Sequence, residues 1–290
     1  MRTDRCWASS VLWIPHLLSP AVALQTVKVL SWNILAQEFA LPQKFPTTHP
    51  THLEWSHRQP LLVEHLRALD ADLICLQEVQ VANWEEFLSS FQDDYEGVLQ
   101  KVQRNHPVAC AVLVKRSLGW NIASTESRSR VLIVVLENEQ RERLYLVNAH
   151  LEAGASKETT RYQQIASLAK RLRHHLCTES DPVIILTGDL NLLDTNPLYR
   201  TLTIKDESPL IAPHLLPLQD VYHSSELQRT HRSGLVLDYL LIRGGLRVDD
   251  VWYTHPAVTT TQSIVWPNAK HPSDHAAIGA TLRIEDACDD

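Results

Sequence analysis

Six short polar signatures each follow an apolar run and carry a group able to hold a cation or a phosphate. They are Asn33, Glu78, His150, Asp189 with Asn191, Asp238, and Asp274 with His275. The central one closes the stretch Val183-Ile184-Ile185-Leu186-Thr187-Gly188-Asp189-Leu190-Asn191. Its four consecutive apolar residues after a proline predict a strand buried on both faces. Gly188 permits a tight turn, and Asp189 and Asn191 leave on the same side, two residues apart. Such a pair suits metal-assisted attack on a phosphate: one side chain activates water and the other donates a hydrogen bond to the phosphoryl oxygen. In isolation an ordinary Asx turn would look the same, so the reading rests on all six signatures together.

If the strands that carry them share one edge of a sheet sandwich, these side chains converge in a single cleft. Carboxylates and amide oxygens favour a hard divalent cation, Mg²⁺ or Mn²⁺, over zinc. Magnesium keeps several waters and needs one or two carboxylates, so Glu78 with Asn33 is a sufficient anchor. Each residue also has an ordinary reading, Glu78 as a solvated loop residue and His150 as a hydrogen-bonded structural histidine. Asp238 is the least ordinary, because a carboxylate between Leu237 and Tyr239 in an apolar strand demands a partner, and His275 is a suitable one.

The elements that must position these groups follow from periodicity. Val27–Asn33 reads as a strand, followed by a loop from Leu41 to about Leu53 whose prolines and histidines oppose regular structure and which is expected to form a cleft wall. Ser56 is expected to cap a helix through Leu69, with Pro60 in its first turn and Leu62, His65, Leu66 and Leu69 on one stripe. Leu73–Leu76 is a strand delivering Gln77 and Glu78, and Asn83-Trp84-Glu85-Glu86 resembles a capping box opening a short helix. Strands are predicted at Gly97–Val102, Val108–Val114, Val131–Leu136 and Leu144–Asn148. A helix from Ser156 would bury Tyr162, Ile165, Leu168, Leu172 and Leu176. A short helix enters through Pro197, and the chain from Ile204 to Leu216 is irregular. Strands follow at Leu218–Tyr222, Val236–Ile242, Val248–Tyr253 and Ala276–Ile284. Helices flank strands without regular alternation, which favours an α+β layering of two sheets with helices outside.

The 290 residues are ample for a sizeable core, and 44% hydrophobic with 21% charged residues is ordinary for a globular protein. A formal charge of −7 argues against a broad basic groove gripping nucleic acid, although part of it could be a carboxylate cluster that a cation neutralises. The cysteines are Cys6, Cys75, Cys110, Cys177 and Cys288. An odd count without a C-x-x-C pair points to buried thiols in a reducing, cytoplasmic setting and not to a disulfide framework. No apolar stretch reaches transmembrane length. Residues 1–25, with Arg2 and Arg5 before an apolar run that ends Ala21-Val22-Ala23, read either as a mitochondrial or secretory targeting segment or as an N-terminal extension packed on the domain. Residues 26–290 are taken as the functional domain.

The signatures Ser31-Trp32-Asn33-Ile34-Leu35-Ala36, Leu76-Gln77-Glu78-Val79, Asn148-Ala149-His150-Leu151, Gly188-Asp189-Leu190-Asn191, Leu237-Asp238-Tyr239 and Pro272-Ser273-Asp274-His275 resemble, in order, those of the endonuclease/exonuclease/phosphatase superfamily. Leu53-Glu54-Trp55-Ser56-His57-Arg58 and Asn196-Pro197-Leu198-Tyr199 are similar to its nocturnin, Angel and poly(A)-deadenylase branch. The resemblance implies a four-layer α/β/β/α sandwich and Mg²⁺-dependent phosphoester hydrolysis. Glu78 would bind the metal with Asn33 completing its shell, and Asp274 would support the metal or the base. Asp189 would activate water and Asn191 hold the phosphoryl oxygen. His150 and His275 would stabilise the developing charge, with Asp238 orienting His275.

Ala155 and Ser233-Gly234-Leu235 stand where deadenylases of this branch place a proline and an aromatic residue around adenine. Glu152 stands where nocturnin-like proteins carry basic residues. The expected activity is a 3'-5' exoribonuclease acting as a monomer on an RNA 3' end. The alternatives are a phosphatase or phosphodiesterase on a small nucleotide or lipid-headgroup phosphate, and an inactive binding module of the same fold.

Overall fold

The computed structural model describes residues 25–102, 106–176, 182–203, 217–222, 227–261 and 264–285. Along these the strands are β1 (Thr26–Asn33), β2 (Leu73–Gln80), β3 (Tyr95–Leu99), β4 (Val108–Lys115), β5 (Asn121–Arg128), β6 (Val131–Glu137), β7 (Arg143–His150), β8 (Val183–Asp189), β9 (Gln219–Asp220), β10 (Asp238–Arg243), β11 (Leu246–Tyr253) and β12 (Ile278–Ile284). The α-helices are α1 (Trp55–Leu69), α2 (Trp84–Ser89), α3 (Glu158–Leu176) and α4 (Pro197–Thr203). One sheet runs β11-β12-β1-β2-β4-β3 and the other β5-β6-β7-β8-β10-β9. Each is mixed: β1 with β2 and β7 with β8 are parallel, and the remaining pairs are antiparallel.

Three apolar layers hold the sandwich together, because alternate residues of a strand leave on opposite faces. Between the sheets lie Val27, Val29, Leu73 and Cys75 from one and Leu144, Leu146, Ile185 and Leu240 from the other. The opposite parity packs outward: Leu30, Trp32, Ile74 and Leu76 against Leu62 and Leu66 of α1 and Phe87 of α2. Tyr145, Val147, Ile184 and Leu186 pack against Ile165, Leu168, Leu172 and Leu176 of α3. The expected four-layer α/β/β/α order is therefore the observed one. Cys75 and Cys110 are free and buried, and no helix among the described residues is long and apolar enough to cross a membrane.

Several element boundaries differ from expectation. Helix α1 begins before Ser56, and its N-cap Glu54 makes no side-chain cap bond. Pro60 therefore lies in the second turn, beyond the positions where a missing N–H is harmless. Asn83 precedes α2, also without a side-chain cap bond, so the capping box is not formed. Strand β5 escaped prediction because it lies at a sheet edge with an almost wholly half-buried or exposed face (Asn121–Arg128), so it lacks an apolar run. At Gly97 the strand β3 starts earlier and ends at Leu99, and a turn of 3₁₀ helix, Ala155–Lys157, covers Ser156 ahead of α3. The Leu218–Tyr222 strand shortens to two residues. The long loop carries one 3₁₀ turn, Pro50–Leu53. Residues 1–24 and 204–216, and with them the targeting segment and the irregular stretch, lie outside the described residues.

Candidate active site

Side-chain parity assembles the site. In β1, β2, β7, β8 and β10 the residues that continue the inter-sheet face toward one end of the sandwich are polar: Asn33, Gln77, Asn148 with His150, Asp189 and Asp238. Register brings them level, with Asn33 beside Gln77, His150 beside Asp189, and Asp238 beside Asp189. Just below, Gln77 donates to Asn148 Oδ1 (2.8 Å) and Ser31 Oγ (3.1 Å), while Asn148 Nδ2 donates to the Leu76 and Ala111 carbonyls (2.9 and 2.8 Å). The three bonds made by Asn148 tie the two sheets together where the apolar core ends, and the Ser31 contact steadies Gln77 within its own sheet.

Glu78 has the wrong parity for this face. A bulge in β2 between Leu76 and Val79, with Glu78 at φ 54°, turns it inward. A non-glycine residue in the left-handed region inside a strand is strained, and here the strain places a carboxylate. Asn191 (φ 49°) and Leu35 (φ 57°) are strained likewise. Gly188 is required: at φ 138° a Cβ would lie 1.9 Å from the Ala149 carbonyl oxygen.

Asp189 is the hub. Its Oδ2 accepts from Asn33 Nδ2 (3.1 Å) and its Oδ1 from the Asn191 backbone N–H (3.0 Å). The same Oδ2 lies 3.6 Å from His275 Nε2 and 3.8 Å from His150 Nε2, and the His150 nitrogen is also 3.8 Å from Glu78 Oε1. His275 Nδ1–H donates to Asp238 Oδ2 at 2.8 Å. Asn191 Nδ2 donates to the Leu151 carbonyl (3.0 Å), which leaves its second amide hydrogen for a ligand. Asp274 reaches His231 Nε2 (3.4 Å) and Arg232 Nε (3.7 Å). The structure thus brings every expected residue to one sandwich edge. Asn33 serves differently from a plain ligand: its amide faces Asp189 and its carbonyl oxygen accepts from the Leu35 N–H (3.1 Å).

Burial drives the electrostatics. It pushes Asp189 up to about 7, with Asp238 and Glu78 adding to the rise against His275 and the Asn33 hydrogen bond. Burial and the neighbouring Asp274 also raise Glu78. His150 falls to about 3, through burial first and Arg130 next. Burial opposes protonation of His275 as well, yet Asp238 and Asp189 hold it up at about 10. Asp274, against its burial, is held down at about 2 by His231, His275 and Arg232.

This donor set fits a hard divalent cation. Glu78 and Asp274 are mutually repelling buried carboxylates, and one Asp238 oxygen is buried without a hydrogen-bond partner. A cation between Glu78 and Asp274 would relieve their repulsion. Among the described residues, the tightest acid–imidazole clusters are Asp189, Asp238, His275 and His231, Asp274, His275. Glu78 stands outside both trios and faces Asn33, Ala36 and His150.

Three supporting residues were not anticipated. Arg58 is fully buried, and its Nη1 donates to the Ile34, Leu35 and Pro272 carbonyls (3.0, 2.8 and 3.2 Å), fastening the end of β1 to the chain before His275. Burial pulls it down to about 10, against Asp274 and Glu78. The signal was its place four residues before Leu62 on the apolar stripe of α1. The His231 ring lies tilted against His275, centroids 4.6 Å apart, and Trp32 Nε1 donates to the His275 carbonyl (2.8 Å); Trp32 stands within the Ser31–Ala36 signature, whereas His231 carries no local sequence signal.

The description "Endonuclease/Exonuclease/phosphatase family" belongs to the family model that matches residues 30–275. The chain is 22% identical to the CCR4-Not complex 3'-5'-exoribonuclease subunit Ccr4 of Schizosaccharomyces pombe, over 89% of this chain and 49% of that protein. It is 24% identical to rat (Rattus norvegicus) nocturnin, over 87% of this chain and 64% of the relative. It therefore spans about half of the first relative and less than two thirds of the second. The crystal structure of ANGEL2, a 2',3'-cyclic phosphatase in complex with adenosine-2',3'-vanadate, superposes with a TM-score of 0.75 at 19% identity, covering 91% of this chain and 97% of that one. That likeness shows a shared fold. Because the match runs from the strand that bears Asn33 to the histidine paired with Asp238, the chain belongs to the endonuclease/exonuclease/phosphatase family.

Proposed function

We propose that this chain is a Mg²⁺-dependent phosphoesterase that removes nucleotides from an RNA 3' end by 3'-5' exonucleolytic hydrolysis. The observation that carries the reading is Asp189. It is a buried carboxylate lifted to about 7 and fixed by Asn33 and the Asn191 N–H, with two imidazoles within 3.8 Å. A base whose proton affinity lies near the working pH is suited to take a proton from water. The water oxygen forms the new bond to phosphorus and its proton passes to Asp189, while the bond to the leaving 3'-oxygen breaks, that oxygen keeping the electron pair and taking up a proton from solvent. Asn191 and the protonated His275 donate to the phosphoryl oxygens as charge builds, and Asp238 holds the His275 ring. His150, uncharged, adds a neutral donor. Glu78, with Asp274 and the Asn33 amide about it, would hold the Mg²⁺, which supplies Lewis-acid stabilisation of the phosphoryl oxygens when bound.

The 3'-exoribonuclease reading draws on likeness to Ccr4. A second reading, a phosphatase on a small nucleotide, is favoured by Ser233, whose Oγ is tied to His231 Nδ1 (2.6 Å) in place of an aromatic base clamp. The deciding experiment offers 5'-labelled oligo(A), mixed-sequence RNA, dinucleotide cofactors, a 2',3'-cyclic nucleotide and phosphoinositides, each with Mg²⁺ and with chelator. Stepwise shortening of RNA from the 3' end, lost with chelator, supports the proposal. Turnover of small phosphates alone shifts it to the second reading. No turnover of any substrate leaves a binding module.

A further inference from the structure

Arg130 stands beside His150 at the end of the ladder that joins β6 and β7. The β5–β6 connection is a two-residue turn, since Arg128 pairs with Val131, and its second residue is Arg130. The Arg130 carbonyl accepts from the His150 N–H at 2.9 Å, which sets the two residues side by side at the end of the ladder joining β6 and β7. Residues opposite one another on antiparallel strands project from the same face, so Arg130 leaves on the face that carries His150.

The guanidinium is aimed by a second layer of contacts. Arg130 Nε and Nη2 both donate to Glu152 Oε2, at 3.2 and 2.9 Å. Glu152 is itself held by its backbone: Gln164 Oε1 accepts from its N–H (3.0 Å), and Arg161 Nη1 donates to its carbonyl (2.9 Å). Among the described residues only the Nε–Nη2 edge is occupied, and Nη1 has no hydrogen-bond partner there. The pair is part-exposed, 22% for the Arg130 side chain and 29% for that of Glu152, so a ligand can reach it. His106, with Nδ1 bound to the Val108 carbonyl (2.8 Å), lies near enough to His150 to act on it electrostatically, as Arg130 does. In a chain of net charge −7, Arg130 and His106 are two basic residues whose fields both reach His150 at the catalytic edge.

We propose that the open edge of Arg130 binds a second, non-scissile phosphate of the substrate, with Glu152 holding the fork in place. A guanidinium fixed along one edge presents its remaining N–H groups with little further loss of freedom, which is the geometry that phosphate oxygens match. The inference rests on the phosphoesterase reading for the position of the scissile phosphate. It adds that the substrate carries two phosphates, the second being either the neighbouring internucleotide diester or a terminal monoester.

The test is binding and does not depend on turnover. Affinities of adenosine 5'-monophosphate, adenosine 3',5'-bisphosphate and the dinucleotide pApA are measured by calorimetry with the full chain in Mg²⁺, for the parent, Arg130→Gln and Arg130→Lys. The parent should prefer at least one two-phosphate ligand over the monophosphate by about 10- to 100-fold. That ratio should fall to near one in Arg130→Gln and to an intermediate value in Arg130→Lys, which keeps charge but not the fork. The bisphosphate gaining more names a monoester; pApA gaining more names a diester. Equal parental affinities, no binding of any ligand, or a ratio unmoved by Arg130→Gln would overturn the inference, whatever the substrate panel shows. An inactive parent that still prefers two phosphates would remove the catalytic reading and leave this one standing.

Discussion

His275 donates its Nδ1 hydrogen to Asp238 at 2.8 Å while its Nε2 stands 3.6 Å from Asp189, so one imidazole joins a strand-bound carboxylate to the hub of the site. The two carboxylates fix the orientation of the ring and, against burial, hold it protonated by raising it to about 10. The protonated ring is the donor, so activity should persist until pH rises through that value. Asp238→Asn removes the holding charge, and burial then lowers the imidazole. The pH–rate profile should gain a basic limb at lower pH, with turnover about 10²–10⁴-fold below the parent. An unmoved limb in the variant would remove the assigned role of Asp238.

Metal should matter more as pH rises. Burial is the first cause that raises the Asp189 carboxyl from its ordinary 3.8 to about 7 in the fold. Its raised value favours the protonated folded form, a contribution present in full below 3.8 and lost as pH rises through about 7. Glu78, the carboxylate assigned to the cation, is raised by burial and Asp274 and in turn raises Asp189, so a divalent cation at Glu78 competes with the protons of this carboxylate cluster. The Mg²⁺-induced rise in Tm is expected to be small at about pH 5 and to grow toward about pH 8. A shift that does not change with pH would contradict the carboxylate site.

Acid should unfold the protein through His271. Its Nε2–H donates to the His275 carbonyl (2.8 Å), and burial depresses it to about 3 from the ordinary 6.5 of an imidazole. The unfolded chain takes up this proton first, so stability falls as pH drops below about 6.5 and continues to fall toward about 3. His271→Gln, which can still donate to the carbonyl, should flatten this slope by the order of a few kcal/mol between about pH 6.5 and about pH 4. Urea midpoints across that range measure it, and parallel slopes for parent and variant would refute the assignment.

The polar seam below the site should be costly to break. Asn148→Ala takes one acceptor from Gln77 Nε2, which keeps Ser31 and Cys75, and removes the side-chain donor of the Leu76 and Ala111 carbonyls between the sheets. Its expected cost is about 3 kcal/mol in urea unfolding. A loss below about 0.5 kcal/mol, the level of an ordinary surface substitution, would show that the seam is not what joins the sheets.

Much of this site was legible because period-2 alternation makes strand-end polar residues conspicuous. Asp189 after Val183–Leu186 and His150 after Leu144–Val147 mark the inter-sheet face by type alone. The position of Glu78 was legible but its orientation was not, since a bulge and a positive φ turn it against its strand parity. The β5 edge strand and the Arg130 turn were hidden for a different reason. Edge strands bury too little to need an apolar run, and an arginine gains meaning only from what register places beside it. Pro60 and Ser56 misled locally because packing of Leu62 and Leu66 on Trp32 overrides the start signal.

The most direct test of the account is Mg²⁺-dependent hydrolysis of a 5'-labelled RNA by the parent, Asp189→Ala and Glu78→Ala, with Tm recorded alongside. The account predicts a 3'-end shortening that falls by at least about 10²-fold in both variants, while both remain folded. Folded variants that cleave as fast as the parent would contradict it.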